Sequence, residues 1–367
     1  MARTAPGRSA RAARAVMPAE WEPHESTWLA FPHNVSDWPG RFGPIPWVYG
    51  DIIKKVSAAE QVDLLVNDAA HENKAKRVLR AMQVDLAQVR FRRFATNRIW
   101  ARDFGPIFVR ASGTSHARSA NDAAGLGIAR FRFNAWAKYD DWRRDDKIPE
   151  RAAKALGLAA EPVRHRARDV VLEGGSIDVN GSGTLLTTEE CLLDPAVQVR
   201  NPGFTRADYE TIFDQSLGIS TTIWLGKGIA GDDTHGHVDD LARFVDPRTI
   251  VLCQENNGAD ANHRPLAENF ERLSGAKLAD GGRPEVVALP MPAPIAFSGQ
   301  RVPASYANFY ICNAAVLVPT FNDPADRVAL GILAELIRDR PVVGIHALDL
   351  VWGLGTLLCM SQQQPRA

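Results

Sequence analysis

Short apolar runs with a strand-like pattern recur along the whole chain and alternate with amphipathic helical patterns, which predicts a mixed α/β protein. No change in composition separates one part of the chain from another, so we expect one domain over residues 17–367. The predicted strands are 62–66, 89–94, 107–110, 129–133, 221–225, 249–253, 306–312, 315–319 and 342–348.

Helical spacing of apolar residues predicts helices at about 47–60, 69–83, 205–217 and 324–338. In the last of these, Asp323 can cap the first turn and Pro324 occupies the first helical position. The apolar residues expected to share one face of this helix are Val328, Ile332, Leu333 and Leu336. The Asn180-Gly181 pair predicts a β-hairpin that joins 175–179 to 184–188.

Two segments are polar or rich in small residues. Residues 1–16 carry four arginines among Ala, Gly and Pro and have no acidic residue, so we expect a disordered basic tail. The alternatives are translation from a true start near Met17, or a targeting signal, which the arginines between the alanine clusters disfavour. Residues 111–128 are expected to form a surface loop between strands.

Composition excludes several classes of protein. Lys and Arg (43) balance Asp and Glu (43), which argues against a general nucleic-acid binder. No apolar run approaches the roughly 18 residues that a membrane helix needs, so we expect a soluble, cytoplasmic protein with no membrane partner. The four cysteines, at 191, 253, 312 and 359, have the spacing of neither a disulfide framework nor a zinc ribbon.

Two polar islands place a carboxylate beside glycine. Asp103 lies between Arg102 and a Gly-Pro turn, close to Trp100, where it could bind a planar cation while the indole stacks on it. On spacing alone, a surface pair of Arg102 with Asp103 is the favoured alternative. Glu173 precedes Gly174 and Gly175, which suits either a pocket floor or a turn that ends a strand.

The segment 231–240 has the densest cluster of ionisable residues, with His235, His237 and four Asp. It could bind a metal, or Asp239 could orient His237 for acid–base chemistry or bind a cationic substrate beside it. Asn308 lies within an apolar run, where its amide needs partners, and this favours a structural hydrogen bond.

Each thiol has a chemical and a structural interpretation. Cys359 follows a Gly-x-Gly segment and could be a nucleophile whose partners converge only in the fold, although a small buried residue is the commoner role for one Cys. Cys253 and Cys312 lie in apolar runs and are predicted to pack in the core. Cys191 follows Glu189 and Glu190, whose charges would raise its pKa, so we assign it to packing as well.

Together these islands resemble the agmatine deiminase family, which includes bacterial peptidyl-arginine deiminases and belongs to the guanidine-modifying pentein superfamily. The motifs that carry the resemblance, in chain order, are 17–25, 100–103, 133–136, 172–176, 184–192, 236–239, 304–310 and Cys359 before Gln362-Gln363. The resemblance implies a five-bladed α/β propeller with pseudo-fivefold symmetry and an active site on its central axis. It implies hydrolysis of a small guanidino substrate, most simply agmatine to N-carbamoylputrescine and ammonia, without metal or cofactor, and by family analogy a homodimer.

The resemblance also implies roles. Cys359 would attack the guanidinium carbon and form a covalent S-alkylthiouronium intermediate, with the thiolate favoured by the cationic substrate and by His237. Asp103 and Asp239 would bind the guanidinium nitrogens. His237 would protonate the departing ammonia and then activate water, and Glu173 would orient His237 and raise its pKa. The further substrate-binding residues would be Trp100, Trp136, Asn308 and Asp233, with Asp233 facing the distal amine.

Four positions depart from the family pattern. Leu354 replaces a glycine and Leu358 a histidine near the nucleophile, Phe104 replaces threonine, and His235 stands where Asp or Asn is common. We therefore expect deiminase chemistry with agmatine as the leading candidate substrate, although these departures leave room for an altered one. The alternatives are deimination of peptidyl-arginine or another guanidino compound, amidino transfer, and a catalytically silent binding protein.

Overall fold

Five sheets of three or four strands build the fold of residues 14–112 and 125–367, the part of the chain that the computed structural model describes. The strands are β1 (Arg14–Val16), β2 (His24–Ala30), β3 (Gln61–Leu65), β4 (Val89–Arg92), β5 (Ile107–Ser112), β6 (Leu126–Arg130), β7 (Ala160–Pro162), β8 (Arg164–His165), β9 (Arg168–Asp169), β10 (Asp178–Val179), β11 (Thr184–Thr188), β12 (Thr221–Leu225), β13 (Ala242–Phe244), β14 (Thr249–Gln254), β15 (Glu285–Pro290), β16 (Ala296–Phe297), β17 (Gln300–Arg301), β18 (Tyr310–Ile311), β19 (Val316–Thr320), β20 (Val342–His346) and β21 (Ser361–Pro365). The helices are α1 (Ile45–Val56), α2 (Ala69–Ala81), α3 (Ala101–Phe104), α4 (Ile148–Leu156), α5 (Glu189–Leu193), α6 (Arg206–Leu217), α7 (His263–Ser274) and α8 (Pro324–Leu336).

Each of the five sheets contains the same unit, an antiparallel pair followed by a parallel neighbour. The units, each written in order of pairing, are β5-β6-β7, β10-β11-β12, β13-β14-β15, β18-β19-β20 and β21-β2-β3. A parallel connection must cross from one end of the strands to the other, and a helix makes that crossing in every unit. The helices concerned are α4, α5 with α6, α7, α8 and α1.

The last unit joins the two ends of the described chain. β21 pairs antiparallel with β2, with Trp28 opposite Gln362. Trp28 is fully buried, and its indole N–H donates to the side-chain oxygen of Gln364 at 3.0 Å. The strand that follows Cys359 is therefore an edge strand of the sheet β21-β2-β3-β4, and β2 is its neighbour.

Most predicted elements are confirmed. α2, α6 and α8 lie within a residue or two of their expected bounds, and Asp323 caps α8 through a capping box with Pro324 in the first turn. The hairpin of β10 and β11 is present, although residues 174–176 form a 3₁₀ turn instead of extending the first strand. On α8, Val328 is 54% exposed, which corrects its assignment to the apolar face.

Two predicted strands differ from the structure. Only Tyr310–Ile311 of the run 306–312 is extended, because residues 306–307 form a turn and Asn308 bonds to another part of the chain. The run expected at 129–133 is β6, which lies earlier at Leu126–Arg130.

The predicted polar segments fall only partly within the described residues. Arg14–Val16 pairs with β5, so the end of the expected disordered tail is a strand. Residues 1–13 of that tail and 113–124 of the predicted loop lie outside the described residues. In the described part of the chain, no helix combines the length and the apolar character required to cross a bilayer.

Candidate active site

The candidate residues occupy one equivalent position in all five units, immediately before the first strand of the antiparallel pair. Asp103 lies on α3 before β5, Glu173 precedes the 3₁₀ turn before β10, and His237 and Asp239 border the 3₁₀ turn before β13. Asn308 follows a turn before β18, and Cys359 lies in a turn before β21. Residues that are up to 256 positions apart are thereby brought together by a repeated local structure.

Asp103 is buried, and its carboxylate points into the site instead of into solvent. Its Oδ2 accepts from the indole Nε1 of Trp136 at 2.9 Å, and its Oδ1 accepts from the backbone N of Gly175 at 3.1 Å. Burial raises the pKa of Asp103, and the nearby His237 opposes the rise. The helix that carries Asp103 ends at Gly105, before the Pro106 that cannot continue it.

Arg102 is not a surface partner of Asp103, and the favoured interpretation of that island is therefore wrong. Its guanidinium is buried, donates to Glu20 Oε2 at 3.0 Å and to Gln363 Oε1 at 2.7 Å, and thus ties α3 to β21. Adjacent side chains on a helix point in different directions, which lets Arg102 brace the fold while Asp103 faces the site.

Glu173 and His237 form a buried charged pair that Arg200 completes. Arg200 Nε donates to both oxygens of Glu173 at 3.2 and 3.3 Å. Burial alone would raise the pKa of Glu173, but Arg200 and His237 outweigh it and lower the pKa to about 2. Burial lowers the pKa of His237, but the charge of Asp103, followed by the side chains of Cys191 and Glu173, outweighs that effect and holds the pKa well above its usual value.

The ring of His237 is close to both acids without bonding to either. Nδ1 lies 3.7 Å from Asp103 Oδ1, and Nε2 lies 3.8 Å from Glu173 Oε2. Within the described ranges neither ring nitrogen has a hydrogen-bond partner, although both are buried. An imidazolium held in this way keeps its protons available for transfer.

Gly175 is the point over which these side chains converge. A Cβ on this residue would lie 2.7 Å from His237 Nδ1 and 2.8 Å from both Asp103 Oδ1 and Asp239 Oδ2. Those distances are shorter than van der Waals contact, so a side chain here would displace the three polar groups. Glu173 and Gly175 therefore form the buried floor of the site, and they also belong to the turn before β10.

Asn308 holds the turn that carries the thiol. Its Oδ1 accepts from Thr356 Oγ1 at 2.8 Å and from the backbone N of Leu358 at 3.0 Å, and its Nδ2 donates to Cys359 Sγ at 3.1 Å. Nδ2 also donates to Asp240 Oδ1 at 3.0 Å. The predicted need of this amide for partners is confirmed, and its partners place it at the nucleophile candidate.

The thiol of Cys359 is surrounded by carboxylates. Sγ lies 3.7 Å from Asp239 Oδ2. Burial, followed by the charges of Asp239, Asp240 and Asp103, holds the pKa of Cys359 well above its usual value. Burial also raises the pKa of Asp239 to about 7. These carboxylates therefore disfavour the thiolate in the free protein and favour a cation beside it, whereas the effect of His237 on the thiolate stays a prediction.

A cavity of about 290 Å³ opens onto Cys359. Its lining includes four more of the predicted residues, Trp100, Trp136, Asp103 and Asp233. Its other lining residues are Ser36, Asp37, Pro39, Arg98, Tyr139, Thr234, Gln300, Trp352, Gly353 and Leu354. Trp136 has a left-handed backbone, with φ of 58°, which is uncommon for a bulky residue and orients its indole toward Asp103.

Asp233 lies at this cavity, but both of its oxygens already have partners. Oδ1 accepts from Lys138 Nζ, and Oδ2 accepts from the hydroxyl of Tyr139 at 2.7 Å. The carboxylate is therefore neutralised within the protein, a pairing that the sequence did not indicate.

Of the four departures from the family pattern, one reaches the cavity. Leu354 lines it and has a φ of 67°, in the left-handed region that glycine adopts without strain. Leu358 and Phe104 are almost fully buried in the apolar core, and His235 Nε2 pairs with Asp194 Oδ2 at 2.9 Å. The altered residues thus change one side of the cavity and leave the groups around the thiol intact.

Sequence reasoning missed three buried groups in the site. Arg200 pairs with Glu173, Asp240 bonds to Asn308, and Cys191 lies with its sulfur within 4.8 Å of ligand atoms of Glu173 and His237. Asp240 belonged to the acidic cluster already singled out, whereas no local pattern marks Arg200 or Cys191. Cys253 and Cys312 are buried, as predicted, and burial raises the pKa of each to about 12.

Two trios have the geometry of metal ligands, namely Glu173, Cys191 and His237, and Asp239, Asp240 and Cys359, each with ligand atoms within 4.8 Å of one another. The same atoms surround the thiol and the imidazolium. A soft metal ion that bound either trio would therefore compete with a cationic substrate.

Comparison with known proteins gives consistent matches along the chain. A family model described as Porphyromonas-type peptidyl-arginine deiminase matches residues 16–365. The agmatine deiminase of Ectopseudomonas mendocina (strain ymp) is 32% identical over 372 residues, which covers 95% of each chain. The structure of the agmatine deiminase of Enterococcus faecalis aligns with a TM-score of 0.85 at 27% identity and covers 98% of this chain and 99% of that one. A C. jejuni agmatine deiminase with substrate bound aligns with a TM-score of 0.83 at 28% identity and covers 99% of both chains.

Proposed function

This chain belongs to the family of Porphyromonas-type peptidyl-arginine deiminases and agmatine deiminases, and on that basis we propose that it hydrolyses agmatine to N-carbamoylputrescine and ammonia. The observation that carries the proposal is a buried thiol that lines a small cavity and lies among carboxylates that a guanidinium would neutralise. The four departures from the family pattern do not argue against it, because Leu354 alone reaches the cavity.

Binding of the substrate prepares the nucleophile. Asp103 and Asp239 would accept hydrogen bonds from the guanidinium nitrogens, and the indoles of Trp100 and Trp136 would pack beside the planar group. The positive charge then offsets the carboxylates around Cys359, so the thiol releases its proton to solvent. Asn308 keeps the sulfur in position through Nδ2, with the sulfur 3.1 Å away.

The chemistry follows in two halves. The thiolate of Cys359 attacks the guanidinium carbon, a C–S bond forms, and the C–N bond breaks as His237 protonates the departing ammonia. The product is an S-alkylthiouronium on Cys359, and His237 is left neutral. A water then gives one proton to His237 and adds to the same carbon. The C–S bond breaks, the hydroxyl group of the adduct loses its proton to solvent, and the neutral ureido product and the thiolate are released.

Glu173 acts through His237 as a positioning residue. The pKa of Glu173 is about 2, so this group stays ionised throughout the cycle and favours the imidazolium form of His237. Arg200 in turn compensates the charge of Glu173, which would otherwise be costly in a fully buried site.

We further infer that the five sheets are the blades of an α/β propeller with pseudo-fivefold symmetry, in a single catalytic domain. Two observations support this arrangement. Each unit repeats the same antiparallel-then-parallel pairing, and each contributes a site residue from the turn before its first strand.

The test is ammonia release from purified protein with agmatine, free arginine and an arginyl peptide, combined with mass spectrometry of the ureido product. We expect turnover of agmatine, its loss in Cys359→Ser, and a covalent adduct equal to agmatine minus ammonia in rapidly quenched samples. Cys253→Ser is the matched control, because that thiol is equally buried but bonds to Ser305.

Three outcomes would contradict the proposal. Faster turnover of the arginyl peptide would assign the chain to protein deimination, and a substituted guanidine formed only with added amines would assign it to amidino transfer. Binding of agmatine without ammonia release would make it a binding protein. A cytoplasmic location and a homodimer are separate proposals, tested by cell fractionation and by light scattering.

A further inference from the structure

The cavity lining includes a residue with a carboxylate oxygen that has no hydrogen-bond partner among the described residues. Asp37, in the 3₁₀ turn Val35–Asp37, lines the cavity and is 8% exposed. Its Oδ1 accepts from Arg98 Nη1, whereas its Oδ2 is buried and accepts no hydrogen bond from the residues that the structure describes. A buried carboxylate oxygen without a donor is costly, so this atom is available for a donor on a ligand.

Asp233, the residue that the family resemblance suggests for the distal amine, is already neutralised. Lys138 and Tyr139 each donate to one of its two oxygens. A substrate ammonium would have to displace the Lys138 ammonium there, exchanging one cation for another with little gain. At Asp37, a substrate ammonium could bind Oδ2 without displacing another cation from that oxygen.

The ion pairs that involve Asp37 and its neighbours favour a second positive charge on the substrate. Three carboxylates, Asp37, Asp141 and Asp233, face two cations, Arg98 and Lys138, through direct ion pairs. One negative charge is left over. Burial raises the pKa of Asp37 to about 7, with Arg98 opposing the rise, so a cation that reached Oδ2 would also favour its ionised form.

Asp37 and Cys359 belong to the same cavity. Both residues are part of its lining. A linear substrate whose guanidinium reaches the thiol therefore has its other end in the part of the cavity that Asp37 lines.

We propose that Asp37 is the specificity-determining residue for the distal end of the substrate, and that its Oδ2 accepts a hydrogen bond from a primary ammonium. The inference rests on the proposed guanidine hydrolysis. It assigns the preference for a diamine-derived guanidine to Asp37 rather than to Asp233. A free amino acid could also donate its ammonium to Asp37 and place its carboxylate against Arg98 Nε, which has no hydrogen-bond partner in the part of the chain that the structure describes, and arginine is therefore included in the test.

The experiment compares agmatine with n-pentylguanidine, in which a methyl group replaces the ammonium. The measured quantity is the ratio of the two kcat/KM values. A charge-assisted hydrogen bond predicts that Asp37→Asn lowers this ratio by about ten- to a hundredfold, mainly through the KM for agmatine. Asp141→Asn is the matched control, because it removes the other carboxylate from Arg98 and is outside the cavity lining.

A second variant guards against a fold defect in Asp37→Asn. Asp37→Glu moves the carboxylate along by one methylene, so it should shift the preference from agmatine toward the shorter 3-aminopropylguanidine. A changed length preference can arise only in a folded, active protein.

The results separate this inference from the proposed function. A ratio that is unchanged in Asp37→Asn, that falls equally in Asp141→Asn, or that falls further in Asp233→Asn would overturn the role of Asp37 while hydrolysis stands. Arginine preferred over agmatine by the wild type would overturn it as well. If wild-type protein released no ammonia from any of these guanidines, the proposed function itself would fail.

Discussion

The carboxylates around Cys359 predict that the charge of an alkylating reagent decides how fast this thiol reacts. The perturbation is a pair of reagents of nearly identical shape, the cationic 2-chloroacetamidine and the neutral 2-chloroacetamide. The amidine reproduces the positive charge of a guanidinium, whereas the amide leaves the negative charges of Asp239, Asp240 and Asp103 uncompensated.

The magnitude follows from the distance between the sulfur and Asp239. At the 3.7 Å that separates Sγ from Oδ2, two unit charges interact by about 4 kcal/mol at an effective dielectric constant of about 20. A cation that cancels this repulsion is worth about three orders of magnitude in rate, at about 1.4 kcal/mol per factor of ten. Allowing for water in the open cavity, we expect the amidine to react at least about a hundredfold faster.

The assay is the second-order rate of inactivation at pH 8, followed by intact-mass spectrometry, with Cys253→Ser as a control for labelling at other thiols. The decisive result is the direction in which the two alkylation rates change in Asp239→Asn. Removing this carboxylate should slow the amidine and accelerate the neutral amide, because the thiolate is then less disfavoured. Equal rates for the two reagents in the wild type, or a variant that slows both alike, would refute the electrostatic account.

Three further predictions concern pH, backbone space and backbone strain. The pKa of Asp239 is raised to about 7, so this carboxylate becomes neutral below that pH. We therefore expect kcat/KM for agmatine to fall on acidification more than kcat does. Parallel pH profiles of kcat/KM and kcat from pH 5.5 to 9 would contradict this. Gly175→Ala should lower kcat at least about a hundredfold, since its Cβ would lie 2.7 Å from His237 Nδ1. Gly331→Ala, which meets no atom within 4 Å and lies inside α8, should leave the steady-state rate unchanged and raise the melting temperature slightly, because alanine is favoured over glycine in a helix. An active Gly175→Ala protein would show that the close packing is not required. Leu354→Gly should relieve about 1 kcal/mol of left-handed backbone strain, which roughly offsets the lost contacts of a half-buried side chain. The same variant should raise turnover of an arginyl peptide relative to agmatine. A large drop in thermal stability, or an unchanged ratio of the two substrates, would argue against this prediction.

Local sequence patterns predicted the regular elements because their causes are local. The cap and proline of α8 and the Asn-Gly hairpin act within a few residues, and both are present. Val328 was misassigned because helical spacing identifies a stripe of apolar residues but does not say how much of that stripe another element covers.

The site could be predicted as a set of residue types but not as a set of contacts. The favoured surface pair of Arg102 and Asp103 was wrong because the partners of Arg102 are Glu20 and Gln363, far away along the chain. The isolated amide of Asn308 signalled a need for partners, and only the fold shows that one of them is the sulfur of Cys359. Arg200 carried no signal, since its role depends on a carboxylate 27 positions earlier.

The family pattern treated the four departures as equivalent, and the fold distinguishes them. Leu358 and Phe104 are core residues, where exchange of one packing residue for another leaves the cavity unaltered. Leu354 differs because it combines exposure to the cavity with a backbone conformation that suits glycine. Expectations about substrate should therefore depend on this one position.

The pairing of β21 with β2 has a consequence for the order of folding during synthesis on the ribosome. β2 is made among the first residues of the fold, yet one of its two neighbours follows more than 300 residues later, and that neighbour directly follows Cys359. The edge of β2 must wait unpaired, or be shielded by a chaperone, until those residues emerge. Cys359 and the strand that completes this sheet are thus synthesised together, so a nascent chain that ends before them lacks both the finished sheet and the proposed nucleophile.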